Sequence, residues 1–166
     1  QNGVSQWITG AEARRDVQQY RAQSCVVLTG SGTVKADNPS LLVREQEAQF
    51  TNYPLEHIRQ PARVVIDGKS ALSRGYALFN DGNLTLTATS QAHPDTATQH
   101  YLSVDEKDGK LNLHSLMSAL GDKQYNEVWV EAGPGLAGAL LQEGLVDELI
   151  CYQAPKLLGD KGVSMV

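Results

Sequence analysis

Val128-Trp129-Val130-Glu131-Ala132-Gly133-Pro134-Gly135-Leu136-Ala137-Gly138-Ala139 is the stretch that decides the fold class. An apolar, β-branched run enters a glycine cluster and passes at once into small apolar residues. That pattern is a buried strand, a tight turn and a helix, the unit from which parallel sheets are built. The turn also has a chemical use. Glycines let a phosphate approach the backbone, and a helix start offers unpaired N–H groups and the positive end of the helix dipole. Gly133, Gly135 and Gly138 have the G-x-G-x-x-G spacing. A Rossmann unit also needs an acidic residue about 20 positions on, at the end of the next strand. Here the next expected strand ends Gln153-Ala154-Pro155-Lys156, with no acid. On spacing alone, a ligand loop and an unliganded strand–helix turn fit these residues equally well.

Outward from this stretch the alternation repeats. Residues 25–29, 63–67, 84–89, 101–104, 127–131 and 148–154 read as strands. Residues 11–23, 114–120 and 135–142 read as helices, the first opened by Thr9-Gly10-Ala11-Glu12 at capping-box spacing, with Thr9 as the cap. Residues 30–39 are expected as a loop, and 45–60 as a polar surface excursion. Strands made of apolar runs, alternating with helices, predict an α/β domain with a largely parallel sheet covered on both faces. No boundary divides residues 1–166, so one domain is expected.

A second strand end reads as purposeful. Leu28-Thr29-Gly30-Ser31-Gly32-Thr33-Val34-Lys35-Ala36-Asp37-Asn38-Pro39 offers glycines and hydroxyls that suit an anion, although no Gly-Lys-Ser/Thr makes it a P-loop. Asp37 suits orientation of a proton or a ribose hydroxyl, and Asp-Asn-Pro equally suits a plain turn. Arg21 and Arg44 are candidate phosphate forks, or solvated surface charges. Glu131, at the inner end of an apolar strand, needs a partner: a ligand donor, a buried arginine or a backbone N–H. Trp7 is a core anchor or a platform for a flat ring.

Composition narrows the classes. A chain of 166 residues with net charge -5 and no basic run is not built to hold nucleic acid. No apolar run is long enough to span a membrane, and the first residues lack a secretory signal. The absent starting Met marks a piece of something longer or a processed product. Cys25 and Cys151 both sit in apolar runs and are expected as buried thiols, which makes cytoplasm the default. His57, His93, His100 and His114 have no metal-ligand spacing, and no nucleophile elbow appears, so no metal is expected.

Read together, the motifs resemble a known family. Ser5-Gln6-Trp7-Ile8-Thr9, Arg14-Arg15-Asp16-Val17, Arg21-Ala22, Thr33-Val34-x-Ala36-Asp37-x-Pro39-x-Leu41-x-Val43-Arg44 and Arg63-Val64-Val65-Ile66-Asp67 occur in its order. So do Trp129-Val130-Glu131-Ala132-Gly133-Pro134, Leu145-Val146-Asp147-Glu148 and Ala154-Pro155-Lys156-Leu157-Leu158-Gly159. The chain strongly resembles, over nearly its whole length, the reductase domain of the bacterial bifunctional riboflavin-biosynthesis deaminase/reductase.

The resemblance implies a dihydrofolate-reductase-like fold. It also implies NADPH-dependent reduction of the ribosylamino side chain of an aminouracil phosphate, 5-amino-6-(5-phosphoribosylamino)uracil, to the ribitylamino form. By matching position, Trp7, Thr33 and Asp37 would touch the cofactor, with Gly133, Pro134, Gly135, Leu136, Ala137, Gly138 and Ala139 at its pyrophosphate. Ser5, Arg21, Leu41, Arg44 and Glu131 would hold the substrate, and Asp37 would assist proton transfer. Gly68 stands where the family often offers the cofactor a hydroxyl, leaving Lys69 or Ser70 to serve. The resemblance further implies a strand before Gln1, closing strands after Gly159, an upstream zinc deaminase domain and a homodimer. A stand-alone relative acting before deamination, and a nucleotide-binding module without turnover, are the competing readings.

Overall fold

The computed structural model describes residues 8–97 and 99–155. In chain order the elements are α1 (Ala11–Gln23), β1 (Val26–Gly30), α2 (Ser31–Asp37), α3 (Glu45–Ala48), β2 (Ala62–Ile66) and a 3-10 turn (Ala77–Phe79). They continue with β3 (Thr85–Thr89), β4 (His100–Ser103), β5 (Glu106–Lys107), β6 (Lys110–Leu111), α4 (Leu113–Asp122), β7 (Val128–Val130) and α5 (Pro134–Gln142). Five strands form one sheet in the order β4-β3-β2-β1-β7. Every neighbouring pair in it is parallel, as the apolar runs predict.

Alternation along parallel strands sorts the side chains onto two faces. Val26 lies beside Ala62 and Val128, Val64 beside Leu86, and Ala88 beside Leu102. These residues, with Leu28, Val104 and the α4 residues Leu116 and Leu120, make the main apolar core. Asn112 caps α4, its side-chain oxygen accepting from Ser115 N at 3.2 Å. The opposite face is polar. Across it run Trp129, Val27, Arg63 and Thr85 in one row, and Thr29, Val65, Thr87 and Tyr101 in the next.

That polarity is buried, so every hydroxyl there needs a partner. Thr29 donates to Glu131 O at 2.7 Å and Thr85 to Leu78 O at 2.7 Å, while Arg74 reaches Thr87 and Ser70 meets Thr89. The threonine alternation in β3 therefore separates two buried faces rather than a core face and a wet one.

Several expectations are corrected. Residues 31–37 are the helix α2, not a loop. Val34, wholly buried against Val65, Leu72 and Leu78, supplies packing that outweighs the weak helix propensities of Ser31, Gly32 and Thr33. The helix ends on Asn38 in a left-handed cap, with Pro39 next. Thr9 does not cap α1. The helix starts one residue later than the box requires, its N-cap is Gly10, and Thr9 instead presents its carbonyl to Arg14. The 45–60 excursion packs onto α1: Ala48, Phe50, Tyr53 and Ile58 gather on Ala22 and Val43.

Residues 148–154 form no strand, having no ladder partner among the described residues. They are tied down by a side chain, Tyr152 donating to Asp16 at 2.6 Å. Burial first, and then this carboxylate, push the Tyr152 hydroxyl pKa up. Leu149 and Cys151 are left exposed, so Cys151 is not the buried thiol its apolar surroundings predict. Cys25 is half-buried, and neither cysteine is bonded to the other.

Candidate active site

In open parallel sheets, ligands bind beyond the carboxyl ends of the strands, where the strand order reverses. Here that point is at β1. The chain leaves β1 towards β2 on one side, while β7 lies on the other. Two loops meet above it, and a Cβ added to Gly30 would lie 3.7 Å from Leu136 at the start of α5.

Gly133 is the N-cap of α5 and carries no side-chain cap, and Pro134 follows in the first turn. The next amides, of Gly135 and Leu136, precede the first intrahelical donor, Ala137 N, which bonds to Gly133 O at 3.2 Å, and so are left without an intrahelical acceptor. A Cβ on Gly133, Gly135 or Gly138 would meet nothing within 4 Å among the described residues, and none has positive φ. Among the described residues, neither packing nor backbone conformation therefore requires glycine at these three places. Within a helix each Gly costs about 1 kcal/mol relative to Ala.

Beside this helix start stands Glu131. Of the partners open to it, the structure supplies a buried arginine: Arg21 Nε donates at 2.6 Å to one carboxylate oxygen and Nη2 at 2.7 Å to the other. Trp129 Nε1 adds a third bond at 2.8 Å, and the Trp129 ring stacks on Tyr20 with centroids 4.7 Å apart. The Arg21 side chain is 8% exposed and that of Glu131 25%, so the acid keeps an open side. Two residues expected at the substrate are thus brought together, 110 positions apart in sequence.

Thr33 and Asp37 stand four apart on α2 and so share one helix face. Asp37 is exposed at the helix end, while Val34 turns inward. Leu41 follows, 3% exposed and with φ +57, a backbone state rare for a bulky residue. Arg44 is placed differently from Arg21. Its guanidinium pairs with Glu47 of α3 at 2.6 Å on the surface, and its backbone N–H bonds to Gln18.

Gly68 lies just past β2, where a Cβ would sit 3.3 Å from Leu111 Cγ in the β5–β6 hairpin. That hairpin turns on Asp108 and Gly109, both with positive φ. Leu111 thus occupies the space a larger residue at 68 would need. Of its neighbours, Lys69 is exposed, and Ser70 is engaged with Thr89 at 3.1 Å and His93 Nε2 at 3.0 Å. Ser5 and Trp7 lie outside the described residues.

What the motifs did not single out is the polar frame behind the site. Arg63, wholly buried on β2, binds Asp81 through two bonds and donates to the Ser40 and Asn83 carbonyls. Burial alone would raise the Asp81 pKa. The bonds from Arg63 and Asn83, with the Arg63 charge, outweigh it and hold the carboxyl below its ordinary value. Gln60 binds Val43 at both N–H and carbonyl. The available signal was a charged residue leading an apolar strand, as Arg63 leads Val64-Val65-Ile66.

A model of the RibD C-terminal domain matches residues 1–166. The chain belongs to the RibD C-terminal domain family. It is 48% identical over 165 residues to the riboflavin biosynthesis protein RibD of Escherichia coli, covering 95% of this chain and 44% of that one. It is 40% identical over 167 residues to a 5-amino-6-(5-phosphoribosylamino)uracil reductase of Buchnera aphidicola, covering 95% and 79%. Among solved structures, RibD of Acinetobacter baumannii superposes with a TM-score of 0.77 at 34% identity, over 99% of this chain and 44% of that one. The chain spans less than half the length of these RibD relatives. The fold is dihydrofolate-reductase-like, a mostly parallel sheet with flanking helices. Among the described residues no helix is long and apolar enough to cross a membrane, and no His/Cys/Asp/Glu group could hold a metal.

Proposed function

We propose that this chain is the NADPH-dependent reductase of 5-amino-6-(5-phosphoribosylamino)uracil, converting its ribosylamino side chain to ribitylamino. The observation that carries the reading is the uncapped, glycine-lined start of α5 beside the Arg21–Glu131 pair at the reversal of strand order. It is supported by the likeness to the Buchnera reductase.

Gly133–Ala139 would receive the pyrophosphate, because free amides and the helix dipole favour an anion and, among the described residues, nothing lies within 4 Å of a Cβ at Gly133, Gly135 or Gly138. A nicotinamide dinucleotide bound there supplies the hydride for the imine carbon of the ring-opened ribosylamine. The protein's contribution is placement, which holds the reacting groups at attack distance. Thr33 and Asp37, on one face of α2, would meet the cofactor from the β1 side. Asp37 is exposed and in no ion pair among the described residues, so it is free to pass a proton during ring opening or imine reduction. The open side of Glu131 suits the N–H groups of a pyrimidine, and Arg21, Arg44 and Ser5 suit the phosphate. Trp7 would lie against the cofactor. The neighbourhood of Gly68 would take the adenosine end, with Lys69 as the nearest cation to a 2′-phosphate.

The proposal includes one reductase domain over residues 1–166, a zinc deaminase domain ahead of it in the full protein, a homodimer and a cytoplasmic setting. A solved relative from Thermotoga maritima, 26% identical with a TM-score of 0.65 over 84% of this chain and 36% of that one, is a diaminohydroxyphosphoribosylaminopyrimidine deaminase/5-amino-6-(5-phosphoribosylamino)uracil reductase. Titration with NADPH and NADH, followed by turnover of the aminouracil phosphate and of its undeaminated precursor, tests the reading. NADPH preference with turnover of the aminouracil supports it. Turnover of the precursor alone would make the protein a reductase acting before deamination, and binding without turnover would leave a nucleotide-binding module.

A further inference from the structure

Arg63 is wholly buried in the middle of a sheet face, yet its bonds lead away from the core. Nη1 donates to Ser40 O at 2.8 Å and Nη2 to Asn83 O at 2.9 Å, while Asp81 accepts from both. Its Nε is buried with no partner among the described residues. Replacing a buried ion pair by apolar side chains is often neutral or stabilising, so such a pair with an orphaned donor is a poor device for stability alone.

What the pair does hold is a loop. Leu41 lies between Ser40, gripped by Arg63 from β2, and Leu42, whose carbonyl accepts from Arg21 of α1 at 2.8 Å. On either side, Asn38 accepts from Ala77 N at 2.8 Å and Gln60 binds both polar groups of Val43. A bulky residue stays in the left-handed region only where its surroundings over-determine it, and here they do. Arg21 is itself bound by Glu131. The grip of Arg63 is anchored on Asp81, on a separate loop.

We propose that Arg63 and Asp81 are a positioning pair for the reduction: by fixing the Ser40 carbonyl they set the backbone through Leu41 to Leu42, whose carbonyl holds Arg21 beside Glu131. The inference rests on the reductase reading above. Neither residue touches substrate or cofactor.

The test is steady-state kinetics of Asp81→Asn, which keeps shape but removes the charge, and of Arg63→Lys, which keeps charge but loses the fork. For each, the substrate KM rises roughly tenfold, kcat changes by less than about threefold, and cofactor affinity stays within about twofold. Hydrogen exchange speeds at the amides of Val43 and Arg44, now bonded to Gln60 and Gln18. Asp81→Glu, which restores the charge, returns KM towards the wild-type value. An unchanged KM, or equal losses in kcat and cofactor affinity, overturns the proposal. If the Asn variant does not fold, the Lys variant is read by the same criteria. A wild-type chain that reduces no aminouracil phosphate sinks the reductase reading, and the exchange comparison still decides whether the pair clamps the loop.

Discussion

Both faces of the sheet are buried, one on apolar contact alone and the other on a mixture of valines and hydrogen-bonded polar side chains. One is apolar throughout: Val26, Leu28, Val64, Leu86, Ala88 and Leu102 pack under Leu116 and Leu120 of α4. The other carries Arg63, Thr29, Thr85, Thr87 and Thr89, roofed by α1, α2 and the 68–83 loops, with Arg21 and Glu131 at its carboxyl end. Hydrophobic contact is non-directional, so the first face tolerates changes of shape at constant volume. Hydrogen bonds are directional, so the second fixes where backbone carbonyls and side chains point. The lesson is a division of labour. The α4 face supplies stability, and the polar face supplies the placement on which the proposed chemistry depends.

The largest expected effect tests the apolar side alone. Leu116→Ala should cost about 3 kcal/mol by urea unfolding, as buried Leu truncations do, with cofactor affinity of the folded variant unchanged. A parallel fall in affinity would break the separation of the two faces. Next comes Glu131→Gln, which leaves the Arg21 guanidinium without its counter-charge. It should lose about 2 kcal/mol of stability and, under the proposed function, about a hundredfold in kcat/KM. Full activity in that variant would move the substrate elsewhere.

Smaller and of opposite sign is Gly135→Ala. With open space around the new methyl, the helix should gain up to about 1 kcal/mol, while dinucleotide affinity falls. A variant gaining stability with no loss of affinity would return Gly133–Ala139 to a plain turn. The acid limb of stability gives a further check. The folded Asp81 pKa lies below its unfolded value, so the folded state binds fewer protons in that window. Stability present above the ordinary carboxylate range is therefore lost as pH falls through the folded pKa. Asp81→Asn should flatten that part of an unfolding-versus-pH curve, and an unchanged slope would separate Asp81 from the frame. The smallest effect is chemical: Cys151, being exposed, should react with a thiol reagent well before Cys25.

The strands were legible because a fully covered parallel strand has to be apolar over its whole length, and Val26–Gly30 and Ala62–Ile66 announce themselves that way. The glycines after Val130 were legible as a turn but not as a ligand loop. The structure adds the open space around Gly133, Gly135 and Gly138, on which the proposed ligand loop rests. α2 was hidden, since Ser31-Gly32-Thr33 has turn composition and its helix depends on burying Val34. Residues 148–154 looked like a strand because local pattern cannot tell whether a neighbour exists to pair with. Arg21 and Glu131 were each picked out, but their union was not.

The sequence by itself determined the class of fold and the parallel sheet, and it singled out the strand end proposed for the chemistry. Those features depend on residues adjacent in the chain: apolar runs, glycine clusters and helix starts. Only the tertiary structure decided which partners the buried charges take. Arg21 with Glu131, and Arg63 with Asp81 and Ser40, are separated by 110, 18 and 23 positions, and nothing local selects one carboxylate or carbonyl over another. Desolvation enforces that choice: once α1 and the 80–83 loop cover the polar face, each charge left there has to find a partner within bonding distance.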